Sequence, residues 1–216
     1  MPSSPRTWPT SRRWAGPSSG SCTGTTGCGP PGARPGEDAE GLAARLRAAG
    51  FVAEPAESLM VAEAGRLEHR VPLPGGTRLH RLTRPEEADL VAEVHQAAFG
   101  DDRARTRAWV RDLLTDRARS SAVLVVLDGD RPLSAGRLEW EEGGEFAGLW
   151  GGGTVPAARG LGLYRALVAE RARIAAAQGV RWVQVDATDR SRPILDRLGF
   201  RTLTTTTPYV WTPSAG

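Results

Sequence analysis

The segment Arg159-Gly160-Leu161-Gly162-Leu163 stands between a strand-like run ending at Val155 and an amphipathic run beginning at Tyr164. A loop that opens a helix exposes backbone N–H groups and the positive end of the helix dipole, and both attract anions such as phosphates. Two glycines let that backbone approach a diphosphate without side-chain obstruction. Arg159 adds a cation that serves either as a phosphate partner or as a solvated loop charge. The segment is a candidate pyrophosphate cradle.

Two commoner phosphate loops are excluded. A dinucleotide fingerprint needs a third glycine where this chain has Arg165, and a P-loop needs Gly-Lys-Ser/Thr. The chain contains no lysine at all. What remains resembles motif A of the GNAT acyl-CoA-dependent N-acetyltransferases, Gln/Arg-x-x-Gly-x-Gly/Ala, often preceded by Val-x-Pro. Here Val155-x-Pro-x-x-Arg159-Gly160-x-Gly162 is followed by a helix ending at Gly179, a strand, and Leu198-Gly199-Phe200 closing the next helix. These features agree together over roughly Thr77–Thr212.

The resemblance implies an α/β (α+β) fold. Its sheet is mixed, mostly antiparallel, splayed between the fourth and fifth strands and flanked by helices. It implies that N–H groups of Arg159, Gly160, Leu161, Gly162 and Leu163 hold the CoA diphosphate. Backbone of Thr154 and Val155 would pair with the pantetheine arm like an added strand. The thioester would sit in the opening between the strands ending at Val155 and Asp186.

The chain departs from the family pattern at three places. The first Gln/Arg of motif A falls at Ala157, so backbone must suffice there. Many relatives carry an Asn early in the fourth helix and a Tyr four residues before the Gly of Gly-Phe. Here those positions hold Thr188 and Leu195, and leucine cannot protonate a departing thiolate. Thr188 could bond the pantetheine or cap the helix. Tyr209 is the substitute acid considered, and Asp186 the candidate base. Tyr164 is read as packing the helix. His95, in register with Val91, Val94 and Ala98, is read as a satisfied, partly buried histidine. Glu139, Glu141, Glu142 and Glu145 read as solvated turn residues.

The elements that must position these groups follow from periodicity. Thr77–Leu82 predicts a strand, and Thr83-Arg84-Pro85-Glu86 fits a capping box before a helix carrying Leu90, Val91, Val94 and Ala98. A second helix is predicted near Arg103–Arg117. Ala122–Leu127 reads as a buried strand, and Asp128-Gly129 as a hairpin turn. Strands near Leu133–Trp140 and Phe146–Val155 follow. Then come a helix over Gly160–Gln178, a strand over Trp182–Val185, a helix over Ser191–Leu198 and a last strand near Tyr209–Trp211. Trp140, Trp150 and Gly151–Gly153 suggest an apolar acceptor cleft, although strand tryptophans also build cores.

Residues 1–36 are dominated by Ser, Thr, Gly and Pro, a composition that cannot bury enough apolar surface to order itself. They are expected to be a disordered tail, or non-native coding, since the change at Glu37 is what a frameshift or misplaced start gives. Residues 37–76 read as a small α/β preamble and linker, and 77–216 as the acetyltransferase domain. Within the preamble, Leu46…Gly50-Phe51…Val61 echoes Leu195…Gly199-Phe200…Val210 at four positions, a number that chance readily supplies.

The formal charge is +3, but four arginines and no acids lie in residues 1–36. The remainder holds 24 basic and 25 acidic residues, a balance of −1, so no nucleic-acid partner is expected. Cys22 and Cys28 make neither a disulfide framework nor a four-ligand metal site, and no metal is expected. With no apolar run of about 20 residues, no membrane association is expected, and a cytoplasmic location follows as the default. The expected activity is acetyl transfer from acetyl-CoA to a small-molecule or peptide amine by direct attack on the thioester. A homodimer is compatible with this. The alternative is an acyl-CoA-binding regulatory module that has lost catalysis.

Overall fold

Ala122–Leu127 are six consecutive apolar residues, and all six are buried. Such a run belongs inside a sheet that is covered on both faces. It lies in β4 (Ser120–Asp128), and the Asp128-Gly129 turn returns the chain as β5 (Arg131–Trp140). The computed structural model describes residues 37–116 and 120–211. The expectations for residues 1–36, with Cys22 and Cys28, lie outside the described residues. The chain divides into two units, 1–48 and 49–216. Of the first, the described part is helix α1 (Glu37–Ala48), where the spacing of Leu42 and Leu46 predicts one.

In the second unit, seven strands form one sheet in the order β3-β4-β5-β6-β7-β2-β8. Beyond β4 and β5 these are β2 (Glu57–Glu63), β3 (Thr77–Arg81), β6 (Phe146–Thr154), β7 (Trp182–Ala187) and β8 (Arg201–Thr206). Every neighbouring pair is antiparallel except β6 and β7, which run parallel. Four helices join them: α2 (Ala88–Phe99), α3 (Arg103–Thr115), α4 (Leu163–Ala177) and α5 (Arg192–Leu198). The expected mixed, mostly antiparallel sheet flanked by helices is what forms.

Helices cover opposite faces of β6. A Cβ placed on Gly153 would stand 2.7 Å from Phe99 of α2, whereas one on Gly152 would stand 2.8 Å from Tyr164 of α4. Strand residues alternate between faces, so α2 and α4 sandwich this strand. Both helices bury their apolar stripes: Val91, Val94 and His95 on α2, and Leu167, Val168, Arg171 and Ile174 on α4.

The cap before α2 falls one residue later than the capping-box reading. Glu87, not Glu86, accepts from the N–H groups of Thr83 and Arg84, both at 3.0 Å. Pro85 starts a 3-10 turn, and that extra residue shifts the carboxylate into place.

The boundary at residue 77 is corrected. β2 lies inside the sheet, with Met60 opposite Val185 of β7 and Thr202 of β8, and Met60 is fully buried. The segment 57–63 is therefore a structural strand of the domain rather than preamble. Its apolar residues occur at consecutive positions 59–62, so periodicity alone does not reveal which side is inward. β8 was also unforeseen, because Arg201–Thr206 is polar and largely exposed.

The four-position echo has a geometric counterpart. Gly50 and Gly199 both adopt left-handed φ, +85° and +100°, before Phe51 and Phe200. A short strand β1 (Val52–Ala53) follows the first pair, and β8 follows the second. β1 then pairs with β9 (Tyr209–Val210) in a separate ladder, while β2 pairs with β8.

Candidate active site

β6 and β7 are in register only from Phe146 opposite Trp182 to Gly148 opposite Gln184. Beyond that point they diverge, and a cavity of about 1620 Å³ opens between and beyond their ends. Cavities for small ligands measure roughly 300–1,000 Å³, so this one has room for a long arm and a second molecule. The loop 159–163 lines one part, Trp150 to Thr154 of β6 its wall, and Asp186 with Glu54 and Glu57 another part.

The loop has the features a diphosphate requires. Gly160 and Gly162 stand at φ +79° and +81°, a region other residues enter only with strain. Gly162 N-caps α4 without a side-chain bond. The N–H groups of Gly160, Leu161, Gly162 and Leu163 donate to no backbone carbonyl among the described residues. Unpaired donors at the start of a fifteen-residue helix fit an anion. Arg159 lines the cavity with its guanidinium exposed, and its Nε donates to Thr154 O at 3.3 Å. The donor set thus fits the diphosphate of CoA.

Val155 donates its N–H to Leu133 O at 2.9 Å, and its carbonyl accepts from Ala158 N at 3.0 Å. Its N–H is therefore already paired, which leaves the second lone pair of the carbonyl for an added strand. By alternation, Thr154 turns its own backbone groups away from β5 and toward the gap. Its hydroxyl is held by Ser134 Oγ at 2.8 Å.

Asp186 is two residues beyond the last paired residue of β7, on the face that carries Gln184 and Trp182. It lines the cavity, and its Oδ1 accepts from the Thr206 hydroxyl at 2.8 Å. Leu59 of β2 lies directly opposite Asp186, and Glu57, two residues earlier, projects from the same face. Burial raises the Glu57 carboxyl above the usual range, and the negative charges of Asp186 and Glu54 raise it further.

Tyr164 lines the cavity, and its hydroxyl makes no hydrogen bond among the described residues. Burial raises its phenol above the ordinary value, opposed by the charge of Arg171. Arg171 is 1% exposed and lies beneath Gly136 and Gly152, donating to the carbonyls of Leu167 and Arg137, both at 3.1 Å. Burial brings its pKa down to about 10. Tyr209, by contrast, pairs with Ala53 in the two-stranded ladder and does not line the cavity. Tyr164 is thus the one tyrosine of the chain's two that does.

Leu195 is fully buried and also absent from the lining, so nothing at that position reaches a thiolate. Thr188 lines the cavity; its hydroxyl lies 3.3 Å from that of Ser191, and its carbonyl, not its side chain, starts α5. His95 is satisfied as expected, with Nε2 donating to Gly151 O at 3.1 Å and Nδ1 3.2 Å from Asp101. Burial lowers its pKa against the opposing pull of those two acceptors. Trp150 lines the cavity, and Trp140 packs on the core instead. Sequence reasoning missed Glu57 and Glu54, which lay in the segment set aside as preamble, and it favoured packing over proton donation for Tyr164.

Residues 62–186 match the family model described as an acetyltransferase (GNAT) domain. No curated protein matches the chain significantly. Among solved structures, a GCN5-related N-acetyltransferase from Kribbella flavida is similar at 20% identity and a TM-score of 0.56, covering 77% of this chain and 62% of that one. A GCN5-related N-acetyltransferase from Sphaerobacter thermophilus gives 16% identity and 0.58, covering 80% and 56%. A tandem GNAT protein of the clavulanic acid biosynthesis pathway gives 19% and 0.58, covering 78% and 58%. The chain therefore spans less than two thirds of each of these relatives, and at such identities the likeness is one of fold.

Proposed function

The chain belongs to the GNAT acetyltransferase family, and from that premise we propose that it transfers an acetyl group from acetyl-CoA to a primary amine of a small molecule or peptide. The observation that carries this reading is the divergence of β6 and β7 after Gly148 and Gln184, between an unpaired N–H cradle and a carboxylate. In the proposed complex, N–H groups of residues 159–163 hold the diphosphate, Thr154 pairs with the arm, and Arg159 and Thr188 add polar contacts. Acetyl-CoA supplies the acyl group as a thioester.

The chain's own residues then have three tasks. Backbone along Gly152 and Thr154 positions the acyl carbonyl for attack, and orientation of this kind supplies much of an enzyme's rate. The carboxylates lining the cavity beyond the end of β6 draw the proton from the amine, because only a neutral amine is a nucleophile. Tyr164, a phenol kept protonated by burial, faces the cavity as donor for the departing thiolate. It takes over the role first considered for Tyr209.

The test is release of free CoA thiol against a panel of primary amines, alongside calorimetric binding of acetyl-CoA. Turnover with at least one amine is expected. Tight acetyl-CoA binding without turnover on any amine would overturn the proposal.

A further inference from the structure

We propose that Glu57, from the strand inserted between β7 and β8, is the group that takes the proton from the acceptor amine; this rests on the acetyltransferase reading above. The argument starts from sheet geometry. On β2, residues 57 and 59 share a face, and Leu59 is directly opposite Asp186. Glu57 itself is opposite Thr206 of β8. Glu57 and Asp186 therefore project from one face beyond the point where β6 and β7 part, and both line the cavity.

The two carboxylates differ in their attachments. Asp186 accepts a hydrogen bond from the Thr206 hydroxyl, which fixes its carboxylate in place. Among the described residues, Glu57 has no hydrogen-bonded side-chain partner and no ion pair. The groups that act on it are Asp186 from β7 and Glu54 from its own segment, both anionic, while β8 contributes the uncharged Thr206. Paired carboxylates whose surroundings push their proton affinities apart divide acid–base work between them. Here Asp186 is the carboxylate held by Thr206, and Glu57 is the unheld one, whose proton affinity burial and its anionic neighbours raise.

The step balances as follows. The ammonium gives one proton to Glu57, and the neutral amine forms the N–C bond to the acyl carbon. The C–S bond breaks, and its electron pair stays on sulfur. Tyr164 protonates the thiolate to a thiol, the second nitrogen proton, lost as the amide forms, restores the Tyr164 phenol, and Glu57 returns its proton to solvent.

The full chain tests this with acetyl-CoA and a panel of primary amines, comparing wild type, Glu57→Gln and Glu57→Asp. A general base contributes about 10²- to 10⁴-fold, so kcat/KM should fall by about 10²-fold or more in E57Q. The acidic limb of its pH–rate profile should vanish. Binding of acetyl-CoA should be unchanged, and E57D should retain a limb at intermediate rate. Wild-type turnover matched by E57Q, or a loss that leaves the limb in place, overturns the role of Glu57 alone. Loss of acetyl-CoA binding in E57Q makes the residue structural and overturns it too. A silent wild type that binds acetyl-CoA overturns the transferase reading, and this inference with it.

Discussion

The Thr206 hydroxyl donates to Asp186 Oδ1 at 2.8 Å, joining β8 to β7 across the end of the strand between them. It links a strand read from sequence to one that was not, and it fixes the Asp186 carboxylate beside Glu57. Burial is the largest cause of the raised Glu57 pKa, and the Asp186 charge is the next. Asp186→Asn removes that charge and lowers the proton affinity of Glu57. The limb along which rate rises with pH should therefore move to lower pH, read from kcat/KM against pH.

Gly160 and Gly162 occupy left-handed φ, where an L-residue costs about 1–2 kcal/mol and carries a side chain into the cradle. Gly162→Val should weaken acetyl-CoA by about tenfold or more, since 1.4 kcal/mol is a factor of ten. Calorimetry checks the affinity, and a melting temperature lowered by no more than about 8 °C, as that strain alone requires, checks the fold.

Tyr164→Phe removes the one phenol lining the cavity and leaves its ring against Gly152. We expect kcat to fall by about 10²-fold, with acetyl-CoA affinity unchanged. A single-turnover measurement separates chemistry from release.

Met60→Ala tests whether β2 is a true strand of the domain. Truncating a fully buried methionine costs about 2–5 kcal/mol. Chemical denaturation should show a loss in that range, and a loss below about 0.5 kcal/mol would contradict the placement.

Glu87 supplies a pH-dependent stability term. Burial alone would raise its carboxyl, but hydrogen bonds from Thr83 N–H, His80 and Arg84 outweigh it and bring the pKa down to about 2 from an ordinary 4.5. A folded value below the unfolded one stabilises above the unfolded pKa and is lost as pH falls toward the folded one. Glu87→Gln should cost about 1 kcal/mol near neutral pH, as loss of a cap does. The difference should vanish as pH falls from 4.5 toward 2.

Much of the fold was legible where the local signal was periodic or punctuated. The apolar run 122–127, the Asp128-Gly129 turn, the stripe of α4 and the glycines after α4 and α5 each report a structure formed by near neighbours. The cradle was legible for the same reason, because a helix start and two glycines within four residues define it. β8 was not, since its threonines are exposed and carry no inward stripe. The backbone partners of Val155, Leu133 and Ala158, were not legible either, because they are set by pairing with β5 and by a 3-10 turn rather than by its own identity.

By itself, then, the sequence determined the phosphate-type loop, the mixed sheet and its helices, and the want of a tyrosine at Leu195. Those properties depend on side-chain type and spacing over a few turns of chain. Only the tertiary structure decided which carboxylates meet. Glu57 and Asp186 are more than a hundred residues apart in sequence, and they come together because β2 pairs with both β7 and β8. Pairing between strands so distant in the chain is chosen by burial of Met60 and its neighbours across the whole sheet. No local pattern encodes that choice.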